Sequence, residues 1–389
     1  MTPAARVQAA IEVLDRVNDG SAAEHAVTAW ARASRFAGSK DRAAVRDHVF
    51  QALRCKRSYA VLGGAETGRG LMLGWVRSEG INPEDVFTGD GYAPSALTAP
   101  ERTAGKKPAG AAAHDLPDWL WHRFVASLGA DEAARCAVLL RHRAPVTLRV
   151  NLRMKNVAQA VDQLRESDIQ TAPLPDVEGA LIVTEGARRV ARSGAYLSGA
   201  VELQDASSQA AMMALDVPSG ARVLDYCAGG GGKVLALAAR HDAKWFAHDA
   251  VPGRMQDLPA RAARAGAHIH MIMPQDLAAH SSFDVVLCDA PCSGSGTWRR
   301  APDAKWRLTP ERLVALRATQ ADILQAAQAL VSPGGILAYA TCSVLEEENN
   351  AQIQRFQLDY PGWKMMSDHR WPVSETGDGF YLATLRAPA

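Results

Sequence analysis

The sequence predicts an α/β chain in three parts: an all-α N-terminal part, a small α/β unit, and a C-terminal parallel sheet with helices on both faces. Three observations carry this. Up to about residue 95 the apolar residues repeat at helical spacing. Between about 145 and 200, two β-rich runs flank an amphipathic helical run. From about 205 onward, five apolar runs of strand length alternate with helical stretches, the pattern of a parallel sheet buried on both faces.

In chain order, "KDRAAVRDHVFQALRCKRSYAVL" puts Val45, Val49 and Leu53 on one helical face, with Ser39 as the expected N-cap. Residues 96–115, "ALTAPERTAGKKPAGAAAHD", have the Ala, Pro, Gly and Lys content of a linker. "LPDWLWHRFVASLG" and "DEAARCAVLLRHRA" return to helix. "PVTLRVN" and "GALIVTE" are strands, and "VAQAVDQLRES" lines up Val157, Val161 and Leu164 on a helix between them. The expected divisions are therefore 1–95, 96–115, 116–204 and 205–389. In the last of these the strands are "ARVLDYC", "AKWFAHD", "HIHMIM", "FDVVLCD" and "GILAYAT", and "ERLVALRATQADILQAAQALV" is a helix. Open parallel sheets bind ligands beyond the carboxyl ends of their strands, so the residues just after each strand matter most.

Bulk properties narrow the class. A chain of 389 residues with 48% hydrophobic content buries a sizeable core. Six cysteines are too sparse for a disulfide framework, and none form C-x-x-C pairs, so no metal site and a reduced, cytoplasmic setting are expected. The N-terminus lacks an apolar h-region and no run of about 18 apolar residues occurs, so neither secretion nor membrane spanning is expected. With a net charge of +1, any nucleic acid must be met by a local basic face.

The stretch "LDYCAGGGGKV" (224–234) contains four consecutive glycines. A phosphate-binding P-loop would need Gly where Cys227 stands and Ser or Thr where Val234 stands, which would leave magnesium without its hydroxyl ligand. The spacing also fits a dinucleotide fingerprint poorly. Asp249 ends the next strand, 24 positions after Asp225, where a carboxylate can hold the two hydroxyls of a ribose. A glycine turn with no phosphate, plus a ribose acid, suits S-adenosylmethionine. Its methionine part would lie over Cys227, Ala228, Gly229, Gly230, Gly231 and Gly232, with Lys233, Arg254 and Asp289 nearby and Asp276 accepting from the adenine amino group. For each Asp, a helix cap or loop position is the alternative reading.

The fourth strand runs into "DAPCSGSGTWRRAPDAKW" and the fifth into "ATCSVLEEENN". Asp289, Cys292 and Cys342 should thus meet at one sheet edge. Cys55, Cys136 and Cys288 read as buried small hydrophobes, whereas Cys292 and Cys342 lie in polar loops rich in glycine and serine.

These motifs occur in the order "RVN" (149–151), "QDASSQ" (204–209), "CAGGGGK" (227–233), "DAPCSGSGTWRR" (289–300), "KWR" (305–307), "PGGILAYATCSVLEEEN" (333–349) and "DGFYLATL" (378–385). Over most of its length the chain resembles the RsmB-type RNA cytosine-5 methyltransferases. The stretch "GSKDRAAVRDHVFQALR" (38–54) resembles the helical domain related to the antitermination factor NusB. The resemblance implies a Rossmann-like methyltransferase domain, a small RRM-like subdomain and a NusB-like N-terminal domain. It implies S-adenosylmethionine as cofactor and C5 of a cytosine in RNA, foremost 16S ribosomal RNA, as target. It also makes Cys342 the nucleophile that adds to C6, and Cys292 the residue that aids release. Asp289 would hydrogen-bond N3 and the amine of cytosine. Two departures stand out: Gly229-Gly230 replace the family's Ala-Pro, and Val234 replaces its Thr.

The target base must be unpaired or flipped out. Arg149, Arg153, Arg299, Arg300 and Lys305 are the expected RNA contacts, the last three interleaved with Trp298 and Trp306 for stacking. A monomer is expected. The alternatives are a tRNA cytosine-5 methyltransferase and a non-catalytic RNA-binding factor of ribosome assembly.

Overall fold

The computed structural model describes residues 1–280 and 282–389. It divides into two compact units, one of Met1–Arg143 with Trp298–Arg307 and one of Ala144–Thr297 with Leu308–Ala389.

The first unit is helical. Its helices are α1 (Pro3–Asn18), α2 (Ala23–Ala33), α3 (Ser39–Arg54), α4 (Lys56–Gly63), α5 (Gly68–Ser78), α6 (Ala99–Thr103), α7 (Asp118–Leu128) and α8 (Ala130–Leu140). Val45, Val49 and Leu53 of α3 are buried with Leu14, Leu71 and Phe87 in one core. The N-cap of α3 is Gly38 rather than Ser39. Asp41 reaches back to accept the Gly38 N–H at 3.3 Å, so the carboxylate does the capping and Ser39 becomes the first helical residue.

Residues 96–115, expected as a linker, are folded into this unit. Thr98 and Glu101 form a reciprocal capping box on α6. Ala111 and Ala112 are buried, and Asp115 is fully buried. Its carboxylate accepts from the Ser58 N–H at 2.8 Å and the Ser58 hydroxyl at 2.9 Å, and pairs with Arg141 at 2.9 Å. Helices α7 and α8 also belong here rather than with the small α/β part.

The second unit opens with β1 (Thr147–Val150), α9 (Val157–Arg165), β2 (Gln170–Pro173), β3 (Ala180–Glu185), α10 (Gly194–Leu197) and β4 (Val201–Leu203). These strands form an antiparallel sheet in the order β2-β3-β1-β4, with Leu148 opposite Leu181. After α11 (Ala206–Ala214) come β5 (Arg222–Asp225), α12 (Gly232–Ala238), β6 (Lys244–His248), α13 (Leu258–Arg264), β7 (Ile269–Ile272) and β8 (Phe283–Asp289). The chain then contributes α14 (Pro302–Arg307) to the first unit. It resumes in the second with α15 (Pro310–Gln328), β9 (Val331–Thr341), α16 (Asn350–Asp359), β10 (Lys364–Trp371) and β11 (Phe380–Arg386).

The large sheet has the order β10-β11-β9-β8-β5-β6-β7. All five strands expected from the apolar runs pair in parallel. β11 and β10 then extend the sheet antiparallel. Alternate residues pack on opposite faces: Val223, Val285 and Leu287 on one, Leu224, Val286 and Leu337 on the other. β5 lies between β6 and β8, and the strand order reverses there. That reversal opens a crevice at the carboxyl ends of β5 and β8.

Candidate active site

The crevice is lined from the strand ends upward. Asp225 ends β5 and Asp289 ends β8, while Cys342 follows β9 directly and Asp249 follows β6. The loop after β8 folds back across this edge. Its Ala290 N–H bonds the Ala340 carbonyl at 2.9 Å, and its Gly296 N–H bonds the Cys342 carbonyl at 3.0 Å. The result brings Cys292 Sγ to 3.4 Å from Cys342 Sγ. Both thiols are partly exposed, whereas Cys55, Cys136 and Cys288 are buried.

Lys233, the second residue of α12, bonds Asp289 Oδ2 and lies 5.2 Å above the Phe380 ring. Burial alone would lower its pKa. The Asp289 charge and hydrogen bond, then Asp225, outweigh this and hold the ammonium above its usual range.

The two central thiols are pushed in opposite directions. The hydrogen bond from Cys292 holds Cys342 below the usual thiol range; burial and Asp289 oppose this, and Lys233 and Thr297 support it. Cys292 is driven well above that range by the same hydrogen bond, then by burial, the Cys342 charge and Glu348. Of the two, Cys342 is therefore the thiol that ionises more readily and Cys292 the one that keeps its proton.

The glycine loop enters α12 through Gly231, at φ +79°, where an added Cβ would lie 2.2 Å from Leu258 Cδ1. Gly229, at φ +50°, faces open space. The Gly230 carbonyl accepts from Arg261, and the Gly232 carbonyl accepts from Arg149 at 3.0 Å. Ala228 is buried and Cys227 half-buried. Burial, then Asp225, pushes the Cys227 thiol well up, so it stays neutral. Asp249 is buried, accepting from the Gly229 N–H at 3.1 Å and the Val251 N–H at 2.8 Å. It thus ties the glycine loop to the end of β6. Arg254 and Asp276 are exposed, each in a single 3-10 turn. Val234 is fully buried in the core, and its backbone N–H bonds Asp225 Oδ2 at 3.2 Å.

Sequence reasoning missed Asp225. Its Oδ1 is buried with no hydrogen-bond partner among the described residues. Its pKa is pushed to about 7, by burial first and then by Asp289. It also missed Glu348, which is fully buried in a run of three glutamates that reads as a solvated charged surface. Nothing in the spacing marks which of the three faces inward.

Several expected RNA contacts require correction. Arg149 is buried and serves the Gly232 carbonyl and Gln204 inside the second unit. Arg299 and Lys305 are each 2% exposed. The Lys305 ammonium bonds the Arg54 carbonyl at 3.2 Å, and Arg54 in turn bonds the Arg299 carbonyl at 2.8 Å. Trp298 is 1% exposed and stacks on Phe124 at 5.7 Å, and the Trp306 indole bonds the Leu53 carbonyl at 2.7 Å. These side chains build the first unit's interior, so burial removes Arg149, Arg299 and Lys305 from any phosphate-binding face. Arg153 and Arg300 are exposed; one Arg153 N–H is spent on the Ala238 carbonyl at 2.9 Å.

Among the described residues no cluster of His, Cys, Asp and Glu could hold a metal ion, and no helix is long and apolar enough to cross a membrane.

Residues 212–386 match the family model of the 16S rRNA methyltransferase RsmB/F, and residues 116–190 match the ferredoxin-like domain of RsmF/B-like methyltransferases. Ribosomal RNA small subunit methyltransferase B of Klebsiella pneumoniae subsp. pneumoniae is 34% identical over 257 residues, covering 62% of this chain and 59% of that protein. The chain thus spans about six tenths of the length of the curated relatives it matches. The crystal structure of PH0851 has the same fold over 99% of both chains, with a TM-score of 0.77 at 22% identity. That of NSun6 from Pyrococcus horikoshii with SFG has a TM-score of 0.63 at 16% identity, over 70% of this chain and 99% of the other.

Proposed function

We propose that this chain, whose residues 116–190 and 212–386 match the RsmB/F methyltransferase family models, transfers a methyl group from S-adenosylmethionine to C5 of a cytosine in small-subunit ribosomal RNA. The observation that carries the reading is the pair of thiols 3.4 Å apart at the carboxyl edge of the sheet, beside the Lys233–Asp289 ion pair.

Two features of the crevice fit the cofactor. The partnerless Oδ1 of Asp225 is a buried acceptor suited to a cationic donor such as the ammonium of a methionine moiety. At Gly229 the positive φ and the open space leave the backbone free to approach a ligand. Asp225 and the 227–232 backbone would hold the methionine part, and Asp249 the ribose. When bound, S-adenosylmethionine supplies an electrophilic methyl group on a sulfonium. The Val234 departure costs little here, because the backbone N–H rather than a side-chain hydroxyl meets Asp225.

The residues then act in sequence on the pyrimidine. The Cys342 thiolate adds to C6, which breaks the aromaticity and makes C5 an enamine carbon. N3 takes up a proton from water as the charge of the addition reaches it, and Asp289 accepts from that N–H and from the exocyclic amine. C5 takes the methyl group, and its proton must then leave. Once Cys342 is bonded to carbon it neither takes the Cys292 hydrogen bond as a thiolate nor presents a negative charge to it, so the largest cause that kept Cys292 protonated is gone, while burial and Glu348 remain. Cys292, partly exposed, then gives its own proton to water and as a thiolate accepts the C5 proton. The Cys342–C6 bond breaks, and its electron pair returns to sulfur.

The helical first unit serves, on this reading, as a NusB-like RNA-binding domain. The motif stretch 38–54 that supports this forms α3 and the turn before it. On this reading the chain works in the cytoplasm, where a bacterial enzyme such as the relatives it matches meets ribosomal RNA.

Bisulfite sequencing of ribosomal and transfer RNA from a deletion strain tests the reading. Loss of one 5-methylcytosine in 16S RNA, restored by the wild-type gene but not by Cys342→Ala, is the expected result. Cys292→Ala should leave enzyme covalently held on RNA in a denaturing gel. A lost tRNA site would redirect the substrate, and restoration by Cys342→Ala would refute the nucleophile.

A further inference from the structure

Each thiol is followed in sequence by a serine, and both serines are gripped by one carboxylate. Glu348, in the 3-10 turn Glu346–Glu348 after β9, is fully buried. Its Oε1 accepts from the Ser293 N–H at 2.8 Å and from Gln320 Nε2 at 3.0 Å. Its Oε2 accepts from the hydroxyls of Ser293 and Ser343. Those two hydroxyls lie 3.3 Å apart, close to the separation of the two sulfurs. Gln320 also bonds the Pro291 carbonyl at 3.0 Å and is itself held by Gln352 at 3.1 Å. The far side of the turn is fixed as well: the Tyr339 hydroxyl bonds the Glu348 carbonyl at 2.7 Å. Asn349 bonds the Ser343 carbonyl at 2.9 Å, and the Thr341 hydroxyl bonds Asn349 at 2.6 Å.

Among the described residues the four donors to the Glu348 carboxylate are all neutral, and they occupy both its oxygens. A buried anion held only by neutral dipoles is costly, so its persistence calls for a role. The geometry supplies one. The two cysteine-bearing loops come from different strands, and this carboxylate joins them one residue beyond each thiol.

We propose that Glu348 is the positioning residue that fixes the spacing of Cys292 and Cys342 and assigns the nucleophile's role to Cys342. Its charge faces Cys292, which is also faced by Cys342 and Tyr339; Cys342 is faced by Cys292, Asp289 and Lys233. Glu348 takes both the N–H and the hydroxyl of Ser293 but only the hydroxyl of Ser343, which ties the anion more closely to the Cys292 loop, while the Lys233–Asp289 pair faces Cys342. Glu348 touches no substrate in this scheme and acts through the two loops. The proposal rests on the methyltransferase reading for its kinetics, but not for its thiol chemistry.

Glu348→Gln removes the charge and turns one acceptor into a donor that faces the Gln320 amide or the serine hydroxyls. A displacement of about 1 Å at reacting atoms costs roughly 10²-fold in rate. The expected result is a folded variant with kcat lowered by about that factor, with KM for S-adenosylmethionine within about twofold of wild type. The second readout is independent of turnover: alkylation by iodoacetamide from pH 6 to 9, followed at each cysteine by peptide mass spectrometry. In the wild type Cys342 should react ahead of Cys292 at neutral pH. In Glu348→Gln that preference should shrink by about tenfold or more, because Cys292 ionises more readily without the neighbouring anion. If Glu348→Gln fails to fold, Ser293→Ala with Ser343→Ala removes the hydroxyl anchors and should also lower kcat. A folded Glu348→Gln, or failing that the double serine variant, with wild-type kcat and wild-type cysteine preference overturns the proposal. A wild-type protein with no turnover on ribosomal RNA would instead sink the functional reading, and the alkylation ratio would still decide the role of Glu348.

Discussion

Asp225 illustrates how one buried oxygen can report on a site. Its carboxyl titrates at about 7 in the folded chain, raised by burial and by Asp289, against ~3.9 for an unfolded Asp. Between those values the native state keeps a proton that the unfolded state has lost. Stability contributed by this group therefore falls as pH rises from about 4 to about 7. Asp225→Asn cannot ionise and should lose that dependence. Urea midpoints at pH 5 and pH 7.5 check this: the drop between them should be smaller in the variant, and equal drops would refute it. At this scale the sequence named both thiols, Asp289 and Lys233, because each lies at a strand end or in the glycine loop. It could not name Asp225 or Glu348, whose roles depend on which oxygen is buried and against what. It misassigned Arg149, Arg299 and Lys305, because a cationic side chain looks the same in sequence whether it meets solvent or a buried carbonyl.

Among the elements, the turn from β5 into α12 is tightly constrained. Gly231→Ala must accept both a left-handed backbone and a Cβ in the space of Leu258. Overpacking of this kind costs about 1–3 kcal/mol, on top of backbone strain of similar size. A double-mutant cycle with Leu258→Ala should show favourable coupling, since the smaller side chain relieves the contact and leaves only the strain. Strict additivity in urea denaturation would show that the contact carries no energy. The five parallel strands were legible because burial on both faces makes them continuous apolar runs. β10 was not, because as the edge strand of the sheet it is largely exposed and carries Lys364, Asp368, His369 and Arg370. β2 has no buried residue and β4 only three residues, so neither leaves an apolar run to read.

For the molecule as a whole, ten residues from the middle of the sequence, 298–307, fold with the first unit. Their motif neighbours pointed to RNA contact, and their packing points to structure. Trp298→Ala should cost about 3–5 kcal/mol, the usual loss for a buried aromatic. A multidomain chain need not melt in one step, so calorimetric scanning should show one transition lowered while affinity for S-adenosylmethionine stays within about twofold. An unshifted melt would mean that the indole is not part of that core.

The chain changes unit three times, after residues 143, 297 and 307. Heredity is constrained by that path. A gene shortened by its first 143 codons would still encode Trp298, Arg299 and Lys305, offering water an indole and two cations whose companions had been deleted. A viable descendant of that kind would have to rewrite the ten-residue excursion along with the deletion.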